Sequence, residues 1–266
     1  MDDRTRQFVG SDVRPDVLRS LERASRTLGK DRSSLRVLDW GCGIGTAVAQ
    51  LRKNGWDASG ADIDEDAIER GNAAIAGAPL SLIEDGRGPW PSGTFDFVFS
   101  EQTFEHVADI DAATREIRRL TAPGGLGFHT FPAKFRIVEP HVFVPFLHWL
   151  PKNRLMLNYL RLCCKVGIGH SSEVNKRAIA GLSPSEAAAF SYAYMRDHTF
   201  YRSYRTVTSA FRTAGFGVSS PILEHPKLER LRSAVSVPLV QPIAESVLLN
   251  FVTVQIETQL PRTASA

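Results

Sequence analysis

The 266-residue chain has only three cysteines. Cys163 and Cys164 are neighbours and Cys42 lies far from them, so the three cannot all pair, and none has zinc-ligand spacing. A reducing cytoplasm and no bound metal are the expectation. Long apolar runs are missing too. Nothing approaches the roughly 18 residues of a membrane-spanning helix, and Met1-Asp2-Asp3-Arg4 is too polar and acidic for a signal peptide. The net charge is only +3 and is spread along the chain, which argues against a nucleic-acid partner. No Gly-Lys-Ser/Thr stands at the spacing of a phosphate-cradling loop, and no internal repeat or low-complexity tract is present. What is left is an ordinary globular composition, 43% hydrophobic and 23% charged, of a length that suits one large domain with an insertion.

The most informative residues are Val37-Leu38-Asp39-Trp40-Gly41-Cys42-Gly43-Ile44-Gly45-Thr46. Leu35 to Trp40 is short, apolar and ended by turn residues, which predicts a buried strand. Three glycines at alternate positions then allow a sharp turn and a close backbone approach to a ligand. A helix is predicted over Ala47 to Arg52, with Thr46 as its cap. Strand, glycine turn and helix together make a ligand site at the carboxyl end of a sheet strand. The third glycine comes one residue too early for a dinucleotide fingerprint.

The octapeptide Leu38 to Gly45 resembles motif I of the class I methyltransferases that use S-adenosylmethionine. Three further features agree with the resemblance. Trp56 to Ala61 reads as a second strand with Asp62 at its end, about 20 residues past the first turn, where an acid can take both ribose hydroxyls. Leu80 to Glu84 reads as a third strand followed by Asp85-Gly86, which resembles the family's acidic loop at the adenine. Counting the loop leaves either Glu84 or Asp85 as the acid that faces the base. Phe95 to Ser100 is the fourth strand, followed by the Glu105-His106-Val107 triplet. A helix with Ile110, Ala113, Ile117 and Leu120 on one face comes next and is broken by Pro123-Gly124-Gly125, ahead of a fifth strand over Leu126 to Phe131.

The resemblance implies an α/β fold: a doubly wound, Rossmann-like, seven-stranded sheet with helices on both faces and a helical insertion after the fifth strand. It places S-adenosylmethionine on Asp39, Gly41, Gly43, Gly45, Asp62, Ile63, Glu84, Asp85, Gly86, Ser100 and Gln102. Within the single domain, 1–32 reads as an N-terminal helical segment built on the amphipathic stretch Val13 to Leu28. Residues 33–133 form the cofactor half, 134–195 the insertion and 196–260 the C-terminal half of the sheet. The helix Glu65 to Ala76 gathers Asp64, Glu65 and Asp66 at its start, where the helix dipole favours them. Late in the chain, Thr206 to Phe216 reads as a helix with a glycine stop. Asn250 to Glu257 is the final strand, and the tail from Pro261 is expected to be loose.

The insertion begins with prolines at 140, 145 and 151, continues through a helical stretch over Arg154 to Val166, and includes the capping box Ser183-Pro184-Ser185-Glu186. Its crowded apolar residues suit three readings: plain packing, a lid over an apolar acceptor, or a surface that rests on a membrane and admits a lipid-linked acceptor. The lid is placed ahead of the membrane.

An alcohol acceptor benefits from a base, and His106, His141 and Glu139 all fall at the carboxyl edge of the sheet. His148 is expected to pack beside Trp149. The leading expectation is methyl transfer to a small molecule, to oxygen of a glycan, glycolipid or secondary metabolite. The absence of Asn/Asp-Pro-Pro-Tyr/Phe at the fourth strand tilts the acceptor away from amino nitrogen. A binding module without turnover, or a methyltransferase acting on nitrogen or carbon, is the alternative.

Overall fold

The computed structural model describes residues 13–75, 77, 79–170, 172–222 and 240–262. Its sheet runs through β1 (Arg36–Trp40), β2 (Asp57–Asp62), β3 (Leu80–Leu82), β4 (Phe95–Glu101), β5 (Thr121–Pro132), β6 (Gly217–Ser219) and β7 (Thr253–Gln259). Their spatial order is β3-β2-β1-β4-β5-β7-β6. The first five pair in parallel, and β7 runs antiparallel to both β5 and β6. The strand order reverses between β1 and β4, and ligands sit in the crevice that such a reversal opens at the carboxyl ends.

Alternation along the strands builds two cores. Val37, Phe97, Phe99 and Phe128 face one side, where α1 (Pro15–Leu28), α2 (Thr46–Lys53) and α3 (Glu65–Ala74) cover them. Leu38, Trp40, Val98 and Phe131 face the other, under α4 (Ile110–Leu120), α8 (Tyr204–Thr213) and α9 (Gln241–Phe251). Successive residues of a strand point to opposite faces, so both faces must be apolar and both are covered. The seven-stranded, doubly wound expectation is met.

Between α4 and α8 lie α5 (Arg154–Lys165), α6 (Glu173–Ala178) and α7 (Pro184–His198). The insertion has a small core of its own, in which Val142, Val144, Leu147, Met156, Leu160, Ala188 and Met195 are buried together. The capping box of α7 is present as expected, with Ser183 and Glu186 satisfying each other's backbone.

Several boundaries differ from expectation for physical reasons. Thr46 does not cap α2: Gly45 holds the cap position at φ 76°, and the Thr46 hydroxyl is buried without a partner among the described residues. Pro123-Gly124-Gly125 does not separate helix from strand. α4 ends at Leu120, and β5 already begins at Thr121, which pairs with Phe95. The next paired residue of β4, Phe97, meets Leu126, so the Pro-Gly-Gly residues form a bulge inside the strand. The last strand starts at Thr253, because residues 250 and 251 still belong to α9. Neither α6 nor α9 carried a periodic signal strong enough to be anticipated. The end of the predicted third helix at Ala76 and the tail residues 263–266 lie outside the described residues.

Candidate active site

The glycine turn is held from beneath. Gly41 and Cys42 donate their backbone N–H groups to the Ala61 carbonyl at 2.8 and 3.0 Å. Asp62 accepts from the Gly43 N–H at 2.7 Å and from the Asp64 N–H at 3.0 Å. The carboxylate expected at the ribose therefore also fixes the turn. Asp64 caps α3 through the Ala67 N–H, as the acidic helix start suggested.

Gly41, Gly43 and Gly45 all have positive φ (84°, 52° and 76°). A Cβ on Gly41 would lie 2.3 Å from the Thr103 methyl, and one on Gly45 would lie 2.6 Å from Leu80. A Cβ on Gly43 would meet nothing within 4 Å. Two of the glycines are thus needed for close packing, and the middle one opens onto free space.

Acids surround this opening. Asp39 is buried behind the turn, and its pKa is pushed well above the usual range by burial, then by Glu101 and Asp62. Burial raises Glu101 to about 7 against the opposing pull of Arg14, 3.4 Å away. S-adenosylmethionine carries an ammonium and a sulfonium, and buried acids pushed toward neutrality are what a bound cation would return to the charged form. The residues fit that cofactor.

In the loop expected to meet the adenine, Asp85 and Gly86 form a tight turn with φ of 49° and 75°, closed by Glu84 and Arg87 backbone bonds at 3.1 and 2.8 Å. Both Glu84 and Asp85 are exposed, and Ile63 is 74% exposed, a large apolar surface beside the turn. Ser100 stands apart from the group expected at the cofactor. Its side chain is fully buried, with its hydroxyl 2.9 Å from His129 Nδ1, so it serves the core. Gln102 is exposed at φ 52°, and its N–H bonds to the Thr130 carbonyl of β5.

The turn after β4 links this cradle to a second cluster. Thr103 packs on Gly41, and its carbonyl accepts the His106 N–H at 2.8 Å. The His106 and His141 rings meet edge to face, 4.9 Å between centroids. The His141 Nδ1 lies 2.7 Å from Glu139 Oε1 and 2.9 Å from the Tyr201 hydroxyl. All three residues expected to do chemistry are therefore brought together. Glu139 is buried, yet hydrogen bonds from His141, Tyr201 and the Val142 N–H outweigh that burial and hold its carboxyl below the usual range. His106 donates Nδ1–H to the His198 carbonyl at 2.5 Å, and its pKa is lowered, chiefly by burial. His148 packs on Tyr201 at 4.5 Å, and burial takes it to about 4.

Sequence reasoning missed Glu105, Tyr194 and Tyr201. Glu105 is 2% exposed, neither of its carboxylate oxygens has a hydrogen-bond partner among the described residues, and burial raises it to about 7. Tyr194 lies 5.6 Å from the His141 ring. The tyrosines arrive from α7 and the strand-like segment after it, more than 50 residues past His141, where no local pattern could announce them. The triplet containing Glu105 was the one available signal.

Comparison with known proteins gives the family to which this fold belongs. Residues 10–220 match a family model described as a methyltransferase domain. The match spans most of the chain, which belongs to that family. A ubiquinone biosynthesis O-methyltransferase of Mesorhizobium japonicum is 34% identical over 129 residues, covering 44% of this chain and 50% of that protein. A probable chloroplastic tocopherol O-methyltransferase of Oryza sativa subsp. japonica is 37% identical over 95 residues, 33% of this chain and 26% of the relative. The chain thus spans about half the length of the first of these and less of the second. Among solved structures, an S-adenosylmethionine-dependent methyltransferase from Mesorhizobium loti superposes with a TM-score of 0.51 at 15% identity, covering 95% of this chain and 99% of the other. That likeness concerns the fold. No helix among the described residues is long and apolar enough to cross a membrane.

Proposed function

We propose that the protein is a cytoplasmic methyltransferase that moves the methyl group of S-adenosylmethionine to a hydroxyl oxygen of a small molecule with an apolar portion. The observation that carries this reading is the join between the two clusters. Thr103 packs on the glycine turn and passes directly to His106, which faces His141. Gly43 and Asp62 would hold the cofactor, Asp62 through its ribose, and the histidine pair would stand beside the acceptor hydroxyl. The sulfonium carbon is already electrophilic, so the protein's work is to align the acceptor, shield that carbon from attack by water and ease the loss of the hydroxyl proton.

Relatives named for O-methylation favour oxygen as the accepting atom. The insertion over 134–195 forms a lid whose own core lets it move as a unit. Phe146, Trp149, Leu155 and Leu162 remain exposed on it, which favours an acceptor, or a lipid carrying it, with apolar surface to cover. Glycans, glycolipids and secondary metabolites with such a portion are the acceptors to try.

Calorimetric titration with S-adenosylhomocysteine tests the cofactor site. Asp62→Ala should weaken binding by about 2–4 kcal/mol, or roughly 30- to 1000-fold, through loss of charge-assisted bonds. Equal affinity in the two proteins would remove Asp62 from the ribose. Transfer of labelled methyl to paired hydroxyl and amine acceptors tests the rest, and labelling of amines alone would overturn the oxygen assignment.

A further inference from the structure

We propose that Glu105, His106 and His141 bind a divalent transition-metal ion, for which the acceptor hydroxyl is an additional ligand. One ligand atom from each residue lies within 4.8 Å of the other two. Two imidazoles and one carboxylate form the donor set of catalytic zinc sites and of open non-haem iron sites, both of which keep coordination positions for substrate. Ligands about 2.1 Å from a tetrahedral ion stand roughly 3.4 Å apart. Each side chain therefore has to move inward by about an ångström, which small χ rotations supply.

The surroundings of the three ligands are those of a metal site. A ligating histidine normally gives its second ring N–H to a carboxylate or a backbone carbonyl, which fixes the tautomer and aims the other nitrogen at the ion. Both histidines do so here. His106 Nδ1 bonds the His198 carbonyl at 2.5 Å, and His141 Nδ1 bonds Glu139 at 2.7 Å. Because a carbonyl can only accept, His106 must carry its proton on Nδ1 and present an unprotonated Nε2.

Glu139 is anchored in turn by the backbone N–H groups of His141 and Val142 at 2.8 and 2.6 Å and by the Tyr201 hydroxyl. Glu105 supplies the remaining donor: a buried carboxylate with neither oxygen partnered among the described residues, which a cation would compensate. His141 stands 35 residues from His106, so no spacing rule applied to the sequence could reveal the set.

What the ion does there rests on the methyl-transfer reading; that it binds does not. Coordination lowers the pKa of a hydroxyl. The acceptor proton then leaves to water, the oxygen forms its bond to the methyl carbon, and the carbon–sulfur bond breaks with its electron pair staying on sulfur in S-adenosylhomocysteine. A compound with two neighbouring hydroxyls can fill two open positions and is the favoured acceptor.

The test is calorimetric titration of the chelator-treated full chain with Zn2+, together with visible absorption of its Co2+ form. One ion per chain is expected, with Co2+ bands of low-symmetry coordination. Glu105→Gln, which keeps the side-chain shape, and His106→Asn should each weaken Zn2+ binding by about 100-fold or more. Glu139→Gln, which touches no ion, should weaken it by about 10- to 100-fold. Absence of stoichiometric binding, or unchanged affinity in both Glu105→Gln and His106→Asn, overturns the site. Titration with S-adenosylhomocysteine in the same samples keeps the two proposals apart: binding of the nucleoside without Zn2+ binding ends the metal proposal alone.

Discussion

Alanine substitution at Gly41 and at Gly43 should damage different properties of the protein, although the two glycines are only two residues apart. In Gly43→Ala the new methyl meets no protein atom within 4 Å, so the folded chain bears only the strain of φ 52°. That strain is about 1 kcal/mol, or roughly 2–4 °C in thermal midpoint for a chain of this size. The methyl does occupy the space assigned to the cofactor, and overpacking of about 1–3 kcal/mol there would lower affinity roughly 5- to 150-fold. In Gly41→Ala the strain at φ 84° is joined by a Cβ placed 2.3 Å from the Thr103 methyl. The combined cost is about 2–4 kcal/mol, or roughly 5–15 °C. Scanning calorimetry gives the midpoints and titration with S-adenosylhomocysteine gives the affinities. If Gly43→Ala binds the ligand as well as the parent protein does, the space above Gly43 is not the ligand's and the cofactor placement is wrong.

Ser100→Ala should cost about 1–3 kcal/mol of stability, because His129 Nε2 already lacks a partner among the described residues and Nδ1 would lose its own. Affinity for S-adenosylhomocysteine should not move, and a weakened titration would return Ser100 to the cofactor site. Asp96 provides a pH test. Burial raises its pKa, but hydrogen bonds from Lys30 at 2.8 Å and the Arg36 N–H at 3.0 Å outweigh this and hold it below the usual range. With the folded pKa depressed, the unfolded chain binds the proton first, so this stability is present at neutral pH and is lost as the pH falls through the folded pKa. Asp96→Asn should be about 1–2 kcal/mol less stable at pH 7, after allowance for the solvent around both cations. The gap should close on acidification, and parallel melting curves at every pH would refute the linkage.

Local signals made the cofactor half legible. Asp39, the three glycines and Asp62 lie within one strand–turn–helix–strand unit, where each residue's role follows from its neighbours. The chemistry was legible only in part. His106, His141 and Glu139 could be placed on the same sheet edge because each follows a strand. Their contact depends on how the insertion folds back, and Tyr194, Tyr201 and the His198 carbonyl come from the end of that excursion. Ser100 misled because its position at a strand end suits a ligand contact, whereas its partner, His129, comes from the neighbouring strand. Thr46 misled in a similar way. A hydroxyl at a helix start ordinarily caps it, but here a glycine in the left-handed region already occupies the cap.

The insertion returns to the sheet through a latch made largely of main chain. The Phe200 N–H bonds the Glu105 carbonyl at 2.5 Å, and Arg202 reaches the Phe104 and Ala108 carbonyls at 3.3 and 2.6 Å. Lys152 bonds the Thr199 and Arg196 carbonyls from the other side. Carbonyl acceptors are the same whatever side chain they belong to. Helices α5 to α7 can therefore drift in sequence, changing the shape of the proposed acceptor site, while the return point stays in register with the turn that carries His106. Such a protein can diversify its substrates by rewriting much of one cassette of about 60 residues, while the two cationic side chains, their landing points and the Glu139–His141 pair are inherited unchanged.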